Sequence, residues 1–371
     1  MNLAEMLTFA DIGQLSKIAN HYQCSCNGNS KNELIQSILH QVGRKEFARD
    51  YVNQLSVEDF RFLNSLLFDS RQHYSLEELV ACAQNSRFTD DAKEKENPRD
   101  VIARFRQSGW LFNGSSQNTK FLFEVPEDLK NRFREVVGQR LESEVNPAGE
   151  PVAVREEHTL AAEDLYLFLF YVSKNEIPLN QEGIMYRRNQ TQLMDTLHVS
   201  EPLVGKGGWR FGYGRTFKSY PDRLSFLYDY AYSRRFIEER NYQLRLASLG
   251  ELSVLEEKRE PLIHLIRFWL KTYKAAIPNL LSLVYWICRC SKEWVTVSSL
   301  RTSMDRLIKP YYYDTPASIF EERILKMMLH FGMISIGENE ERERYARVTA
   351  FGKLAVHELQ KGLEGKNARQ V

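Results

Sequence analysis

Residues 328–354 read MLHFGMISIGENEERERYARVTAFGKL. Along this stretch an amphipathic helix leads into a short apolar strand, a polar turn, a second strand and a small-residue break before the next leucine. The same order returns in residues 104–129, RFRQSGWLFNGSSQNTKFLFEVPEDL, and in residues 230–252, YAYSRRFIEERNYQLRLASLGEL. A supersecondary unit that recurs along a chain indicates several small modules of one kind. We therefore expect three modules, each of which ends in a helix followed by a two-stranded ribbon.

A helix that runs directly into a two-stranded ribbon is the closing part of a winged-helix fold. The predicted fold class is therefore mainly α with small β-hairpins, arranged as tandem winged-helix modules behind an N-terminal helical hairpin. We expect the modules at residues 51–145, 155–258 and 259–371, the last of them with a polar tail. Between residues 140 and 157 the helical periodicity is lost and two prolines and a glycine appear, which predicts a linker.

Apolar periodicity also predicts individual helices. Among them are helices at residues 57–67, 99–108, 262–273 and 317–330. Ser75 is the predicted N-cap of another helix, because a serine hydroxyl can accept from the first free backbone N–H groups.

The bulk composition limits the classes of function. With 371 residues the chain exceeds what one hydrophobic core usually serves, and 43% apolar residues are enough to pack several domains. Fifty basic against forty-nine acidic side chains leave a net charge of +1, which excludes a protein that coats nucleic acid through bulk charge. The N-terminus lacks a basic segment followed by an apolar run, and no stretch approaches roughly eighteen uninterrupted apolar residues. We expect a soluble, cytoplasmic protein without a membrane partner.

Residues 1–50 are expected to form short helices joined by a tight turn. Ser30 is the predicted N-cap of the second helix, and Glu33, three residues later, completes a capping box. This segment resembles the SAP-type helix-turn-helix of DNA-associated proteins, with a turn that is one residue longer. The resemblance rests on the following positions: Cys24, Cys26, Gly28, Lys31 and the apolar residues of 34–39. The alternative is a plain helical hairpin that docks on the next module.

An apolar helix at residues 160–172 is followed by a proline-led strand, a glycine turn, a basic pair and another helix. This order resembles the N-terminal accessory region of XPB-type helicases, in which a similar phrase links two helices of a winged-helix unit. Asn180 stands where that family usually has threonine, and residues 348–354 are similar to a strand-end phrase of the same regions. The matching positions are Pro178, Leu179, Gly183, Arg187 and Arg188. The resemblance covers residues 155–360 and implies a DNA-associated accessory role without the motor.

Motifs for catalysis and cofactor binding are absent from the sequence. It contains no G-x-x-x-x-G-K-[ST] phosphate loop, no H-E-x-x-H and no G-x-S-x-G, and the glycine-rich residues 205–214 lack the terminal Lys-Ser/Thr. The five cysteines are an odd number in a long chain, which favours reduced thiols, and the two C-x-C pairs lie about 260 residues apart. We therefore expect no catalytic residue, no metal and no cofactor, and predict that the protein is not an enzyme.

Residues 204–223, VGKGGWRFGYGRTFKSYPDR, interleave five cations with five aromatic rings. Cations that meet phosphates beside rings that stack on bases are typical of contacts with single strands or grooves. The alternative is a structured insertion whose aromatic residues pack on the second module. Further candidates lie in the helix before the first ribbon, because that helix of a winged-helix module usually enters the major groove. The candidate nucleic-acid-binding residues of the whole chain are Lys31, Arg99, Arg104, Arg106, Arg187, Arg188, Lys206, Trp209, Arg210, Arg215 and Lys218.

The ribbons of the second and third modules are acidic. Residues 338–344, ENEERER, carry four glutamates against two arginines, and the second ribbon begins with Glu238 and Glu239. Acidic ribbons repel phosphate, so these two modules suit protein contacts better. Two functions therefore stay open. The first is an accessory or regulatory factor that binds DNA through phosphates and positions a helicase or another motor. The alternative is an adaptor that bridges subunits of a larger chromosome or replication complex without binding DNA.

Overall fold

A computed structural model of the chain describes residues 1–88, 97–205 and 214–365. The described residues are mainly helical and carry small antiparallel sheets, so the expected fold class is confirmed at this level. They divide into two compact units. Unit 1 contains Met1–Val145 and the described residues from His357 onward, and unit 2 contains Asn146–Val356.

Unit 1 is packed around buried aromatic rings. Trp110 and Phe133 meet edge to face with their ring centroids 4.5 Å apart, and Phe62 meets Phe105 in the same way at 4.8 Å. All four side chains are almost fully buried. The elements of this unit are α1 (Leu3–Phe9), α2 (Ile12–His21), α3 (Lys31–Gly43), α4 (Phe47–Gln54), α5 (Val57–Leu67), α6 (Leu76–Asn85), α7 (Pro98–Gln107), β1 (Phe112–Asn113), β2 (Phe123–Glu124) and α8 (Glu127–Ser143).

The first fifty residues pack onto the rest of unit 1. Helix α2 lies against α3 and α7. The Tyr22 hydroxyl donates to the carbonyl of Ser108 at 2.6 Å, and the Gln14 side-chain amide donates to the carbonyl of Leu111 at 3.1 Å. Because these bonds anchor α2 to the end of α7, residues 1–50 and 51–145 share one core.

The capping box predicted at α3 is only half formed. The Ser30 hydroxyl accepts from the backbone N–H of Glu33 at 3.4 Å, as expected. The Glu33 carboxylate accepts from the N–H of Asn27 at 3.2 Å and not from the N–H of Ser30. The Glu33 carboxylate thus binds the turn before α3 in place of the backbone N–H of Ser30.

Unit 2 holds most of the sheet structure. Its elements begin with β3 (Ala153–Arg155), α9 (Leu160–Lys174), β4 (Ile177–Pro178), α10 (Arg187–Thr196), α11 (Asp222–Ser233), β5 (Ile237–Arg240), β6 (Gln243–Leu246) and α12 (Ser248–Leu255). They continue with α13 (Leu262–Tyr273), α14 (Leu280–Cys290), β7 (Val295–Thr296), α15 (Val297–Asp305), α16 (Pro316–Ser318), a π-helical segment (Ile319–Leu325), α17 (Lys326–His330), β8 (Ile334–Glu338) and β9 (Arg344–Val348). Helix α18 (Ala350–Gly365) begins here, so part of the predicted polar tail is helical.

One topology occurs three times in the described parts of the chain. A helix, a short strand, two helices and a hairpin follow one another, and the short strand pairs with the second strand of the hairpin. In repeat 1 (residues 57–124) the short strand is reduced to a bridge between Tyr74 and Phe123. In repeat 2 (residues 160–246) β4 pairs with β6, and in repeat 3 (residues 280–348) β7 pairs with β9. The third helix of each repeat is the one before its hairpin, namely α7, α11 and the continuous helix of residues 316–330.

The segment between residues 140 and 157, predicted as a linker, contains the division between the two units after Val145, but it is ordered and not irregular. Helix α8 covers its first residues, and β3 adds to the sheet of repeat 3, whose strand order is β3-β8-β9-β7. Between these elements the N–H of Thr296 donates to the carbonyl of Asn146 at 3.0 Å, and the N–H of Ala148 donates to the carbonyl of Trp294 at 2.8 Å. The segment lacks sequence periodicity but is ordered, because its backbone groups find partners on strands that are distant in sequence.

A buried cluster of polar groups joins repeats 2 and 3. Arg223 at the start of α11 is 2% exposed, and its guanidinium donates to Asp164 at 2.6 and 3.0 Å and to Glu157 at 2.8 Å. Glu157 also accepts from His330 of repeat 3, whose Nδ1 lies 2.7 Å from the carboxylate. Nearby, Gly332 adopts a φ of +64°, and a Cβ there would lie 2.2 Å from the carbonyl oxygen of His158. The two repeats therefore meet along a tightly packed seam.

Burial and hydrogen bonds set the protonation states in this cluster. Burial lowers the pKa of His330, which favours a neutral imidazole with its proton on Nδ1. In that form the buried Nε2, which has no partner, carries no proton that would need an acceptor. Burial alone raises the pKa of Glu157, but the hydrogen bond from His330 and the positive charge of Arg223 outweigh it and lower the pKa to about 2. At neutral pH, Glu157 is therefore ionised and His330 is neutral.

The substitution Arg223→Met tests whether this cluster holds unit 2 together. It would leave Glu157 and Asp164 buried without their cation, so we expect a loss of about 3–5 kcal/mol in the free energy of unfolding. Urea denaturation measures this loss. Native-state amide hydrogen exchange then shows whether the loss lies within residues 146–356. The matched control is Arg240→Met, because Arg240 is exposed and has no ion-pair partner among the described residues. A loss of equal size in both variants would contradict this role.

Candidate interaction surfaces

The third helix of repeat 2 has no free face. Residues 223–231 of α11 are all buried. One side faces the core of its own repeat, and the other side meets residues outside the repeat. The Phe226 ring lies 5.6 Å from Phe268 and 5.3 Å from Phe331, and the Tyr230 ring lies 5.3 Å from Phe268. A helix that is enclosed in this way cannot enter a DNA groove.

The third helix of repeat 3 is acidic where it is open to solvent. Its cations Arg323 and Lys326 lie 3.1 and 3.4 Å from the Asp222 carboxylate at the start of α11. Glu321 and Glu322 lie on its more open side, and Glu321 accepts from Arg301 at 2.9 Å. The helix thus uses its cations to bind repeat 2 and leaves carboxylates at the surface.

The third helix of repeat 1 is basic. Arg99 of α7 is exposed, and Arg106 is half-buried. Arg104 donates to the Asp59 carboxylate at 2.7 Å, so part of its charge is neutralised. Arg106 and Lys17 of α2 line a cleft of about 210 Å³ between α2 and α7. Among the described third helices, α7 is therefore the one that offers cations to a phosphate backbone.

Lys31 has a structural partner. Its Nζ donates to the carbonyl of Thr8 at 2.8 Å, in the last turn of α1. A cation at this end of a helix satisfies carbonyls that have no partner inside the helix. The predicted phosphate contact of Lys31 would compete with this bond.

The basic and aromatic stretch of residues 204–223 is divided between buried and exposed positions. Lys206, Trp209 and Arg210 lie outside the described residues. Tyr220 and Arg223 are buried, and the Tyr220 hydroxyl accepts from the N–H of Met185 at 2.8 Å. These two side chains belong to the core of unit 2, as the alternative of a packed insertion predicts.

The described cations around this stretch differ in whether another group of the chain already binds them. Arg215 makes two 2.9 Å hydrogen bonds to Glu239 of β5 and lies 3.9 Å from the Tyr232 ring. Arg187 donates to the carbonyl of Val204 at 3.0 Å. The remaining two, Arg188 and Lys218, are exposed and have no anionic partner among the described residues. Arg215 therefore binds the acidic ribbon, and the free cations are few.

The sequence did not single out Asp229 of α11. Its carboxylate is buried, and both of its oxygens accept from the N–H of Arg215 at 3.1 Å. A Cβ on Gly214, whose φ is +128°, would lie 1.5 Å from the same carboxylate. Burial raises the pKa of Asp229 to about 6. The available signal was an acidic residue inside the run LSFLYDYAY, whose other residues are apolar or aromatic apart from one serine. Acidic residues on helix surfaces are too common for this signal to be distinctive.

The described parts of the chain contain no candidate metal centre. Groups of three or more metal-ligating side chains that could hold an ion are absent from residues 1–88, 97–205 and 214–365. Cys288 and Cys290 are buried in α14, and burial raises the pKa of Cys288. A groove of about 860 Å³ in unit 2 is lined by Glu163 and Arg259, whose side chains pair with each other at 2.9 Å. The surfaces described above are therefore considered as candidates for binding.

Comparisons with known proteins return no match. No family model matches the chain, and neither the curated proteins nor the solved structures contain a similar one. Within the described residues, none of the helices combines the length and the apolar character that crossing a membrane requires.

The raised pKa of Asp229 predicts that this carboxyl group stabilises the fold more as the pH falls. An acidic residue with a lowered pKa has the opposite effect on stability. The folded state binds this proton more tightly than the unfolded chain, whose Asp229 has the ordinary value of 3.8, so stability rises as the pH falls from about 6 to about 4. Asp229→Asn removes this contribution, which is at most about 3 kcal/mol. Urea denaturation between pH 4 and 7 measures it, with Asp195→Asn at an exposed position of α10 as the control. Parallel pH profiles of the wild type and Asp229→Asn would rule out this assignment.

Proposed function

We propose that the chain is a non-enzymatic, cytoplasmic adaptor of three winged-helix repeats, which bridges protein subunits of a larger chromosome or replication assembly. The burial of α11 carries this proposal. In a DNA reader the third helix lies open to the major groove. Here one such helix is enclosed by α13 and by Phe331 of repeat 3, and the next exposes the Glu322 carboxylate to solvent. Two of the three repeats are thus built to bind protein surfaces.

The topology supports the winged-helix assignment. In each repeat a short strand precedes two helices and pairs with the second strand of the closing hairpin. Repeat 2 also contains the residues that resemble the accessory region of XPB-type helicases, with Pro178 in β4 and Arg187 at the start of α10. A helicase or a chromosome-associated complex is therefore the class of partner that we propose.

Exposed apolar side chains also favour protein contacts. Tyr312 and Tyr313, in the loop before the third helix of repeat 3, are 77% and 82% exposed. Leu249, Leu252 and Leu255 form an exposed row along α12. Large apolar residues that cluster at a surface mark interaction sites, and tyrosine is frequent at the centres of protein interfaces.

The adaptor proposal predicts a stable complex that does not depend on DNA. Extracts of cells that naturally express the chain are treated with nuclease and separated by size-exclusion chromatography. We expect the chain to elute with the same partners at the same ratio before and after nuclease, because protein surfaces hold the complex. A complex that dissociates on nuclease treatment, or a chain that always elutes as a monomer, would contradict the proposal.

A second function is supported by the basic α7. We propose that DNA contact, where it occurs, is made through phosphates by α7 and the neighbouring Lys17 of unit 1. Arg99 and Arg106 lie on this helix, and phosphate contacts dominate affinity for DNA. Such contacts carry no information on base sequence. In this arrangement α7 contacts DNA while the other two repeats bind proteins.

Fluorescence anisotropy with single- and double-stranded DNA tests this second function. Arg99→Glu with Arg106→Glu should weaken low-salt binding by about tenfold or more and reduce the slope of log affinity against log salt by about two. Lys45→Glu with Arg49→Glu is the control, because it changes the charge of unit 1 equally at exposed positions that form no ion pair with any described residue. Equal losses in both double variants would point to bulk charge, and no binding at low salt would leave the adaptor function alone.

A further inference from the structure

The sheet of repeat 3 has an exposed edge strand, β3. Strand β3 is the outermost strand, and among the described residues no strand pairs with its outer side. All three of its residues are exposed. Val154 is 50% exposed, and Val152, directly before the strand, is 71% exposed. Proteins usually protect such edges with charges, prolines or a covering element, because an apolar edge readily adds a further strand.

The hydrogen bonds of the inner strands show which residues of β8 face which neighbour. Beyond one end of β8, the N–H of Asn339 donates to the carbonyl of Glu343 at 3.1 Å. Before the other end, the carbonyl of Met333 accepts from the N–H of Thr349 at 3.0 Å. In an antiparallel ladder the bonding direction alternates along the strand. The odd-numbered residues of β8 therefore bond to β9.

The even-numbered residues Ile336 and Glu338 must then bond to β3. Their register partners on β3 are Arg155 and Ala153. Val154 lies between these two and directs its N–H and C=O away from β8. One donor and one acceptor of the main chain thus face the open edge.

A groove of about 430 Å³ lies beside this edge, between β3 and the third helix of repeat 3. This volume falls in the range of roughly 300–1,000 Å³ that is typical of ligand pockets. Val154 lines it together with the apolar side chains of Leu325, Leu329 and Ile336. A strand that adds to β3 would place alternate side chains into this groove.

The unpaired charges of the groove are negative. Glu322 and Glu338 line it, are exposed and have no cationic partner among the described residues. The cations that line the groove are already paired with carboxylates: Arg155 with Glu157, Lys326 with Asp222 and Glu201, and Arg344 with Glu321. An incoming chain with basic side chains would complement this rim.

We propose that this edge and groove dock an extended segment of a partner protein, which adds as a strand to β3 and carries apolar and basic residues two positions apart, on the face that turns toward the groove. This inference rests on the proposed adaptor function and names one of its contact sites. The main chain of the segment pairs with Val154, its apolar side chains enter the groove, and its lysines or arginines meet Glu322 and Glu338. A second copy of this chain is disfavoured, because it would bring the same two carboxylates to the contact.

Selection from a library of short random peptides, with the full-length protein as the target, tests the proposal. We expect enriched peptides to carry apolar and basic residues two positions apart, and the amide of Val154 to gain protection from hydrogen exchange when they bind. Val154→Pro removes the outward N–H without removing a bond between β3 and β8, and should weaken binding by about tenfold or more. Val154→Thr keeps the N–H and a β-branched side chain, and should bind almost as well as the wild type.

Charge reversal provides a test that leaves the backbone intact. Glu322→Lys with Glu338→Lys should weaken binding of the same peptides by about tenfold or more. Glu340→Lys with Glu341→Lys, at exposed positions of the turn between β8 and β9, is the control with the same change in charge.

The proposal is overturned if no peptide is enriched, if Val154→Pro binds like Val154→Thr, or if both charge variants behave alike. Failure of this docking proposal can be distinguished from failure of the adaptor proposal. A nuclease-resistant complex that survives Glu322→Lys with Glu338→Lys would keep the adaptor and exclude this groove.

Discussion

The buried guanidinium of Arg223 is the interaction on which unit 2 depends. It neutralises Glu157 and Asp164, and Glu157 in turn binds His330 of repeat 3. A charge in a medium of low dielectric constant is tolerated only when its partners are in place. The cluster therefore forms only when repeats 2 and 3 are assembled together, and it sets their mutual orientation. The aromatic contacts of Phe226 with Phe268 and Phe331 fill the space beside it.

This constraint decides which surfaces remain for partners. Because α11 is used inside unit 2, the surface that a winged-helix repeat would present to DNA is closed in repeat 2. Repeat 3 keeps an open side, but Glu322 and Glu338 make it acidic, and the edge of β3 makes it suited to an extended peptide. Only α7 among the described third helices combines exposure with positive charge. One topology thus presents a buried third helix in repeat 2, an acidic one in repeat 3 and a basic one in repeat 1.

Local signals predicted the helices well and long-range pairing poorly. The helices expected at residues 57–67 and 262–273 have these bounds in the structure, and Ser75 caps α6 as predicted. Strand β3 was missed, because three residues between two prolines and an apolar helix carry no periodic pattern. Its order comes from pairing with β8, which lies more than 180 residues later in the chain. Arg215 was predicted to meet phosphate and Arg223 lies in the same basic stretch, yet each has a carboxylate partner that sequence spacing does not reveal.

The sequence by itself determined the repeated order of elements, the helix bounds and the balance of charge, because caps, apolar periodicity and composition act over a few residues. Only the tertiary structure decided which cations are free, since Glu157, Asp164 and Glu239 reach Arg223 and Arg215 from elements that are distant in sequence. It also decided that α11 is buried and that β3 is an edge. A side chain is available to a partner only when no other part of the chain binds it first, and that depends on packing in three dimensions.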